Sequence, residues 1–361
     1  MESSYKVCIV GATGMVGQRF VTLLENHPWF KITSVAASKS SSGKTYKDAV
    51  EGRWAMSVPI PESVAGLTVL DASDVKAVAD SCDFVFCAIS LSKAETLALE
   101  ESYARAETPV ISNNSAARLV SDVPMIIPEL NPHHAPVIEK QRRRLGTREG
   151  FIAVKPNCSI QCYVPALHPL MEFRPEQVFV ATYQAISGGS KTFDTYPEII
   201  DNVVPFIDGE EEKSEAEPLK IWGDLTDAGI TLAKTPVISA TCIRVPVSDG
   251  HMAAVTVKFV KKPKREDIIE RWRAFEPLPQ RWSLPSAPKP FIQYMDEPDR
   301  PQSKLDRDFG KGMGVSIGRL RDDPIFDYRF VTLSHNTIRG AAGGGVLTAE
   351  LLAREGYIVR K

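Results

Sequence analysis

The stretch YKVCIVGATGMVGQRFVTLLENH, residues 5–27, decides the fold. A short apolar, β-rich run ends in GATGMVG, and a helix-like run begins at Met15. Gly11, Gly14 and Gly17 therefore fall between a strand and a helix. Glycine there lets the chain turn sharply, lets backbone come close to a phosphate, and leaves helix N-terminal N–H groups facing an anion. Three glycines alone are a weak signal, since a tight turn needs no ligand. A strand before and a helix after favour a dinucleotide.

Working outward, KITSVAAS (31–38), FVFCAIS (84–90) and PVISN (109–113) read as strands, with a helical LSKAETLALEESYARAE (91–107) among them. Strands alternating with helices on this scale imply βαβ units and a parallel sheet. After about residue 150 the texture changes to longer runs with two-residue alternation: VFVATYQAIS, VISATCIRVPV, HMAAVTVKFV, GVSIGRLR and DYRFVTLSH. These suit a mostly antiparallel sheet. The expected fold is α/β: a Rossmann-type parallel-sheet domain over residues 1–155 and an α+β domain over 156–335. The tail 336–361 reads as a helix with one apolar face, packing back onto the first domain. DGEEEKSEAEP (208–218) and the Pro-rich stretch 288–308 read as exposed connections, and QRRRLGTREG (141–150) as a solvated loop or helix end.

At 361 residues the chain suits two domains of ordinary size. A hydrophobic fraction of 43%, a charged fraction of 24% and a net charge of -2 describe an ordinary globular protein with no bias toward a polyanion. Nucleic acid is therefore an unlikely partner. The N-terminus lacks a basic leader, and no run approaches the roughly 18 apolar residues of a membrane span, so a cytoplasmic location is expected. Cys8, Cys82, Cys87, Cys158, Cys162 and Cys242 are thinly spread, several within apolar runs. No disulfide framework is expected, and with no zinc-ligand spacing, no metal.

The second strand ends at Ser38 and runs into Lys39, Ser40, Ser41, Ser42, Gly43 and Lys44. An NAD-binding fold usually carries an acid there for the ribose hydroxyl. Hydroxyls and ammonium groups suit a 2′-phosphate instead, which favours NADP; a solvated serine-rich loop is the alternative. In KPNCSIQCYVPALHPL (155–170), Asn157 is a favoured N-cap and Cys158 falls in the expected first helical turn, where the helix dipole favours thiolate. A thiolate attacks an acyl carbon well, and the same N–H groups can hold the oxyanion. A small residue at a helix start is the plain alternative. His251, after an Asp249-Gly250 turn, is the candidate proton carrier, with Arg244 in the preceding strand.

Taken together, GATGMVGQRF, NNSAAR (113–118), PNCS (156–159), QAISGG (184–189), EEEK (210–213), RVPVSDGH (244–251), GMGVSIGRLR (312–321) and SHNTIRGAAGG (334–344) resemble one family over nearly the whole chain. It is aspartate-semialdehyde dehydrogenase, in the branch found in fungi and archaea. The resemblance implies NADPH-dependent reduction of aspartyl phosphate to aspartate semialdehyde and phosphate, in threonine and methionine biosynthesis. It implies a Cys158 acyl-thioester, His251 as acid/base and Gln184 as an orienting group. Arg244 would meet the substrate carboxylate and Glu210 its ammonium, with Glu211 an open alternative. Lys213 and Arg118 would hold phosphate, with Asn114 nearby. Cofactor contacts would come from Gly11, Thr13, Gly14, Met15, Val16, Ser38, Ser41, Ser90, Ser187, Gly188, Gly189 and Asn336. A homodimer or homotetramer built through the second domain is also implied.

Three other readings compete. Reductases of other activated acids, such as malonyl-CoA or N-acetyl-glutamyl phosphate, share the cysteine-plus-NADP scheme, but an acetylated substrate gains little from Glu210 and a CoA thioester needs a long basic channel. A non-catalytic NADP-binding regulator would have no use for Cys158, Gln184, Arg244 and His251. A cysteine hydrolase would have none for the GATGMVG turn.

Overall fold

The computed structural model of the protein describes residues 4–361. Its first sheet has six parallel strands: β1 (Tyr5–Val10), β2 (Phe30–Ala37), β3 (Val69–Asp71), β4 (Phe84–Cys87), β5 (Val110–Ser112) and β6 (Ile152–Val154). They lie in the order β3-β2-β1-β4-β5-β6, so the winding reverses between β1 and β4. A crevice for ligand opens at the carboxyl ends of the strands at such a reversal.

Val7 to Val10 are all fully buried because β1 is covered on both faces. Val7 and Ile9 pack with Phe20 of helix Met15–Leu23 and with Leu347 and Leu351 of the C-terminal helix Gly343–Arg354. Cys8 and Val10 belong to a core that continues through Ile160, Val164 and Leu167 of helix Ile160–Leu167 to Val178, Val180, Ala253 and Val255 of the second sheet. A strand buried on both faces reads as a continuous apolar run.

The chain then supplies β7 (Pro175–Gln184), a small hairpin of β8 (Asp224–Thr226) and β9 (Gly229–Thr231), and β10 (Val237–Arg244), β11 (His251–Phe259), β12 (Ile292–Met295), β13 (Val315–Asp322) and β14 (Tyr328–Ser334). The second sheet runs β10-β7-β11-β14-β13-β12. Its inner pairings are antiparallel, as the alternation suggests. The edge strands β10 and β12 lie parallel to β7 and β13, having arrived by long connections rather than hairpins, so the sheet is mixed. β10 and β11 do not pair with each other; both flank β7. That arrangement gathers Gln184 at the end of β7, Arg244 at the end of β10 and His251 at the start of β11 at one edge of the sheet.

Four local expectations are corrected. The acidic stretch is a helix, Glu210–Ile221, whose residues Glu210, Ser214, Glu217 and Ile221 are buried. The stretch 288–308 contains β12 and a short helix, Ser303–Asp306. The C-terminal helix is buried on every side from Gly343 to Leu352, not on one face. A Cβ at Gly345 would stand 3.0 Å from the Phe20 ring and one at Gly343 2.5 Å from Met313 Sδ, so glycine permits this close packing. Finally, the helix after Cys158 begins at Ile160, leaving the cysteine on the turn before it.

Candidate active site

The glycine turn is built by close approach. Gly11 has φ +84°, and a Cβ there would meet Ala88 O at 2.5 Å; one at Gly17 would meet Gly11 O at 2.2 Å. Gly14, the N-cap of helix Met15–Leu23, is exposed, with Thr13, Met15 and Val16 half-buried beside it. The Tyr46 hydroxyl donates to Ala12 O at 2.9 Å and braces the turn from below. Beyond β2, Ser38, Lys39 and Ser40 are exposed, with Ser38 and Ser40 hydroxyls 3.0 Å apart, whereas Ser41 is tucked beneath them and buried. No carboxylate stands among these residues 38–44. The turn and the loop thus suit a dinucleotide carrying a 2′-phosphate.

Past β6 the chain runs through Lys155, Pro156 and Asn157 to Cys158. Asn157 does not cap the helix: its Oδ1 accepts from Ser159 N–H at 2.7 Å, its Nδ2 donates to Glu210 Oε1 at 2.9 Å, and its own N–H donates to Glu217 Oε2 at 2.6 Å. The N–H groups on either side of Cys158 are therefore already committed and do not face an oxyanion. Cys158 Sγ lies 3.4 Å from His251 Nε2. Nδ1 of His251 accepts the Ala185 N–H at 3.0 Å, which assigns the neutral ring's proton to Nε2, the nitrogen facing sulfur. The C-terminal segment closes over the cysteine, since a Cβ at Gly340 would lie 2.8 Å from Cys158 Cβ.

Cys158 opens onto a cleft of about 260 Å³ whose walls also include Lys155, Arg118, Glu210, Lys213 and Asn336, with His251 behind the sulfur rather than in the wall. Glu210 Oε1 also accepts from Lys213 Nζ at 2.9 Å, and Gln184 Nε2 donates to Glu210 Oε2 at 3.3 Å. Glu211 turns instead to β10, accepting from Cys242 N–H at 3.1 Å, and Glu212 is exposed, so Glu210 is the glutamate of the three that reaches the cleft. Arg118 donates to Glu217 at 2.8 Å, to Lys155 O and to Asn113 O. Arg244 donates to Ala185 O at 2.7 Å. Gly188 packs against both Arg244 and His251: a Cβ there would be 2.9 Å from each side chain. Asn336 ties two further parts together, accepting from Gly250 N–H at 2.8 Å and donating to the Ser187 hydroxyl at 2.9 Å. Ser187 is half-buried, and Gly188 and Gly189 are exposed beside it.

Asn114 is not brought into this cleft. Its amide donates to Glu100 at 2.8 Å, and it lines a neighbouring recess with Ser90 at the end of β4; Ser115 borders both spaces. Sequence reasoning passed over Lys155, Glu217 and Gly340. The helical spacing of Glu210, Ser214 and Glu217 was the available signal for the second of these. Among the described residues no cluster of three or more His, Cys, Asp or Glu stands ready for a metal ion.

Electrostatically, the surroundings of the pair favour its neutral forms. Burial, then Glu210, raise the Cys158 thiol above its ordinary range, against Lys155, Arg118 and Arg244. Burial, then Arg244, His335 and Lys155, hold His251 well below its own. Burial and Arg118 bring the Lys155 ammonium down to about 7. The expectation of a thiolate favoured by a helix dipole is therefore corrected: the cysteine precedes the helix and stands half-buried at the cleft wall, where desolvation is the largest influence on the thiol.

A doubly wound nucleotide-binding sheet whose carboxyl edge opens beside a cysteine paired with a histidine defines a class, the semialdehyde dehydrogenases. Residues 6–137 match the semialdehyde dehydrogenase NAD binding domain and residues 167–339 the semialdehyde dehydrogenase dimerisation domain. Within that class the chain belongs to the aspartate-semialdehyde dehydrogenase family. It is 42% identical to the Archaeoglobus fulgidus aspartate-semialdehyde dehydrogenase, over 98% of this chain and 99% of that one. It is 40% identical to the Aspergillus fumigatus enzyme, covering 98% of each. The crystal structure of the Candida albicans aspartate semialdehyde dehydrogenase with NADP superposes with a TM-score of 0.88 at 39% identity, covering 99% of this chain and all of that one. The Vibrio cholerae aspartate semialdehyde dehydrogenase II complexed with ASA gives a TM-score of 0.74 at 25% identity, covering 98% of this chain and all of that one. A dimerisation domain accords with the outer face of the second sheet, where Phe179, Tyr183 and Val237 are 41%, 37% and 64% exposed.

Proposed function

We propose that the chain is an NADP-dependent aspartate-semialdehyde dehydrogenase, reducing L-aspartyl 4-phosphate to L-aspartate 4-semialdehyde and phosphate through a thioester on Cys158. The observation that carries this is Cys158 Sγ 3.4 Å from His251 Nε2, in a cleft that also holds a buried carboxylate and several cations. Sulfur attacks the β-acyl carbon, and phosphate leaves toward Lys213 and Arg118. Glu210 faces the substrate ammonium, and Arg244 offers its guanidinium fork to the α-carboxylate. Gln184, held against Glu210, orients the substrate. His251 presents its Nε2–H to the sulfur and to the oxygen developing beside it, and supplies a proton as the thiolate leaves the reduced carbon.

The dinucleotide would lie over Gly11, Thr13, Gly14, Met15 and Val16, with its 2′-phosphate by Ser38 and Ser41. Its nicotinamide would reach the cleft past Ser90, Ser187, Gly188, Gly189 and Asn336, where it supplies the hydride. Residues 1–155 with 336–361 then form the NADP domain, and 156–335 the catalytic and dimerisation domain of a homodimer or a tetramer of dimers. No helix among the described residues is long and apolar enough to cross a membrane. The reading puts the enzyme in the cytoplasm, serving threonine and methionine biosynthesis.

Replacing Cys158→Ser tests this. The variant should bind NADPH, measured by fluorescence titration, while losing acyl-enzyme formation and turnover; near-normal turnover with aspartate semialdehyde, NADP and phosphate sinks the assignment. His251→Gln should lower kcat with KM largely kept, and a loss confined to KM would move His251 to a binding role.

A further inference from the structure

We propose that Glu217 is a positioning residue for the reaction: its carboxylate ties the phosphate-holding Arg118 to the loop that carries Cys158, and so fixes how far apart the two stand. The inference rests on the reading above, in which Arg118 meets phosphate and Cys158 attacks the acyl carbon. It gives a role to a buried carboxylate which that reading does not use.

The geometry is a two-way bridge. Glu217 is 2% exposed, and both its oxygens are occupied. Oε1 accepts from Arg118 Nη1 at 2.8 Å, and Oε2 accepts at 2.6 Å from the N–H of Asn157, the residue before the nucleophile. The two donors come from separate loops, Arg118 from the one that follows β5 and Asn157 from the one that follows β6.

Arg118 is held so that part of it stays free. Its Nε–H donates to Lys155 O at 3.1 Å and its Nη2 to Asn113 O at 3.1 Å, so with the bond to Glu217 three of its five N–H groups are taken. Each terminal nitrogen keeps one, a pair of donors of the kind that takes two phosphate oxygens, and the side chain lines the cleft. Lys220, one turn beyond Glu217, fastens the backbone of the same loop: its Nζ donates to the carbonyls of Arg118, Val120 and Val123 at 2.6, 2.7 and 2.8 Å.

The nucleophile is held from the same helix face. Glu210, Ser214 and Glu217 follow one another at helical spacing. Glu210 accepts from Asn157 Nδ2 at 2.9 Å, the Ser214 and Ser159 hydroxyls are 3.1 Å apart, and Glu217 takes the Asn157 N–H. The residues on both sides of Cys158 are thus fixed to helix Glu210–Ile221, whose Lys213 also reaches the cleft. In an acyl phosphate a single bridging oxygen separates the carbon that sulfur attacks from the phosphorus that Arg118 holds. Sulfur and guanidinium must therefore keep one spacing, and a misplacement of about 1 Å lowers rate on the order of 10²-fold. A carboxylate meets this need because both of its oxygens accept. A glutamine side chain has one oxygen and one NH2, and whichever way it turns, the NH2 faces a donor, either Arg118 or the Asn157 N–H.

The test uses the whole enzyme in the direction that consumes phosphate, with aspartate semialdehyde and NADP, for Glu217→Gln, Glu217→Asp and, as a comparison, Tyr163→Phe. The last removes the bond from the Tyr163 hydroxyl to Ser214 O at 2.6 Å, loosening the same helix through a contact that involves neither Arg118 nor Asn157. NADPH binding checks folding. Glu217→Gln should raise the KM for phosphate at least about tenfold and lower kcat on the order of 10²-fold, with the KM for NADP within about threefold of the parent. Glu217→Asp keeps the charge but draws the carboxylate back by one C–C bond, about 1.5 Å, so it cannot reach both donors and should show the same pattern at smaller size. It also carries the test if the glutamine variant does not fold. Tyr163→Phe should lower the thermal midpoint and leave the phosphate KM within about threefold of the parent. A phosphate KM that does not move in the Glu217 variants, one that rises equally in Tyr163→Phe, or failure of both Glu217 variants to fold overturns the proposal and leaves Glu217 a structural residue. A parent chain that does not reduce NADP with the semialdehyde and phosphate counts against the dehydrogenase reading instead.

Discussion

Replacing Gly340→Ala adds one methyl group where the C-terminal segment crosses the nucleophile, and its consequence can be worked from the structure. The new Cβ would fall 2.8 Å from Cys158 Cβ and 3.2 Å from Cys158 Cα. Carbon atoms rest at about 3.5–4.0 Å, so one backbone must retreat by roughly 0.7–1.2 Å. Neither contact is the free end of a flexible side chain. Gly340 N–H is tied to His335 O at 2.9 Å, and the Cys158 loop is held by Asn157 and Glu217. Overpacking of this kind destabilises by about 1–3 kcal/mol, which a two-domain chain survives. A shift of about 1 Å at the reacting atom, however, lowers rate on the order of 10²-fold, equivalent to ~2.7 kcal/mol of barrier. The expected signature is a folded protein with near-parental NADPH affinity, a thermal midpoint lowered by a few degrees, and kcat with aspartate semialdehyde reduced about a hundredfold. Should kcat stay within about threefold of the parent while the protein remains folded, the close packing of Gly340 on Cys158 does not set the position of the sulfur.

The glutamates separate in kinetics. Glu210→Gln should raise KM for the semialdehyde about ten- to a hundredfold by removing the charge that meets the ammonium, whereas Glu211→Gln can still accept from Cys242 N–H and should change little. Equal effects would contradict the orientation of the two side chains. Ser38→Asp puts a carboxylate where the 2′-phosphate is expected and should weaken NADP relative to NAD on the order of ten- to a hundredfold, read by comparing the two dissociation constants. Acid should destabilise the fold through buried imidazoles. His134 and His335 titrate at about 4 in the folded chain and His251 well below its ordinary range, so the unfolded chain binds more protons between pH 4 and 6.5. Stability from these three groups is therefore full above pH 6.5 and falls as pH drops through it, with unfolding at pH 5 taking up about three protons from them. Urea midpoints that do not change between pH 7 and pH 5 would contradict that burial.

The strand, glycine turn and helix at residues 5–27 were legible because each obeys a local rule: an apolar run, a turn that only glycine can make, and a helical period. Cys158 and His251 could be picked out by residue type and position. The acidic stretch could not, because charge density looks like solvent exposure until the residues are placed on a helix, where Glu210, Ser214 and Glu217 turn inward together. Asn114 is the opposite case: next to Asn113 in sequence, it points to Glu100 because alternate residues leaving a strand face opposite ways.

By itself, the sequence determined that the chain has a dinucleotide-type turn, two domains' worth of pattern and a cysteine in the company of a histidine, and its ordered motifs named the family. The tertiary structure alone decided the chemistry of that cysteine. Burial and Glu210 push its thiol toward the neutral form, the facing imidazole accepts the Ala185 N–H at Nδ1, and a lysine three residues upstream is desolvated in the wall of the same cleft. Proton affinity depends on dielectric surroundings and on which lone pairs are already occupied. Both are properties of packed neighbours drawn from β6, β7, β11 and the C-terminal segment, far apart in sequence, and no local pattern encodes them.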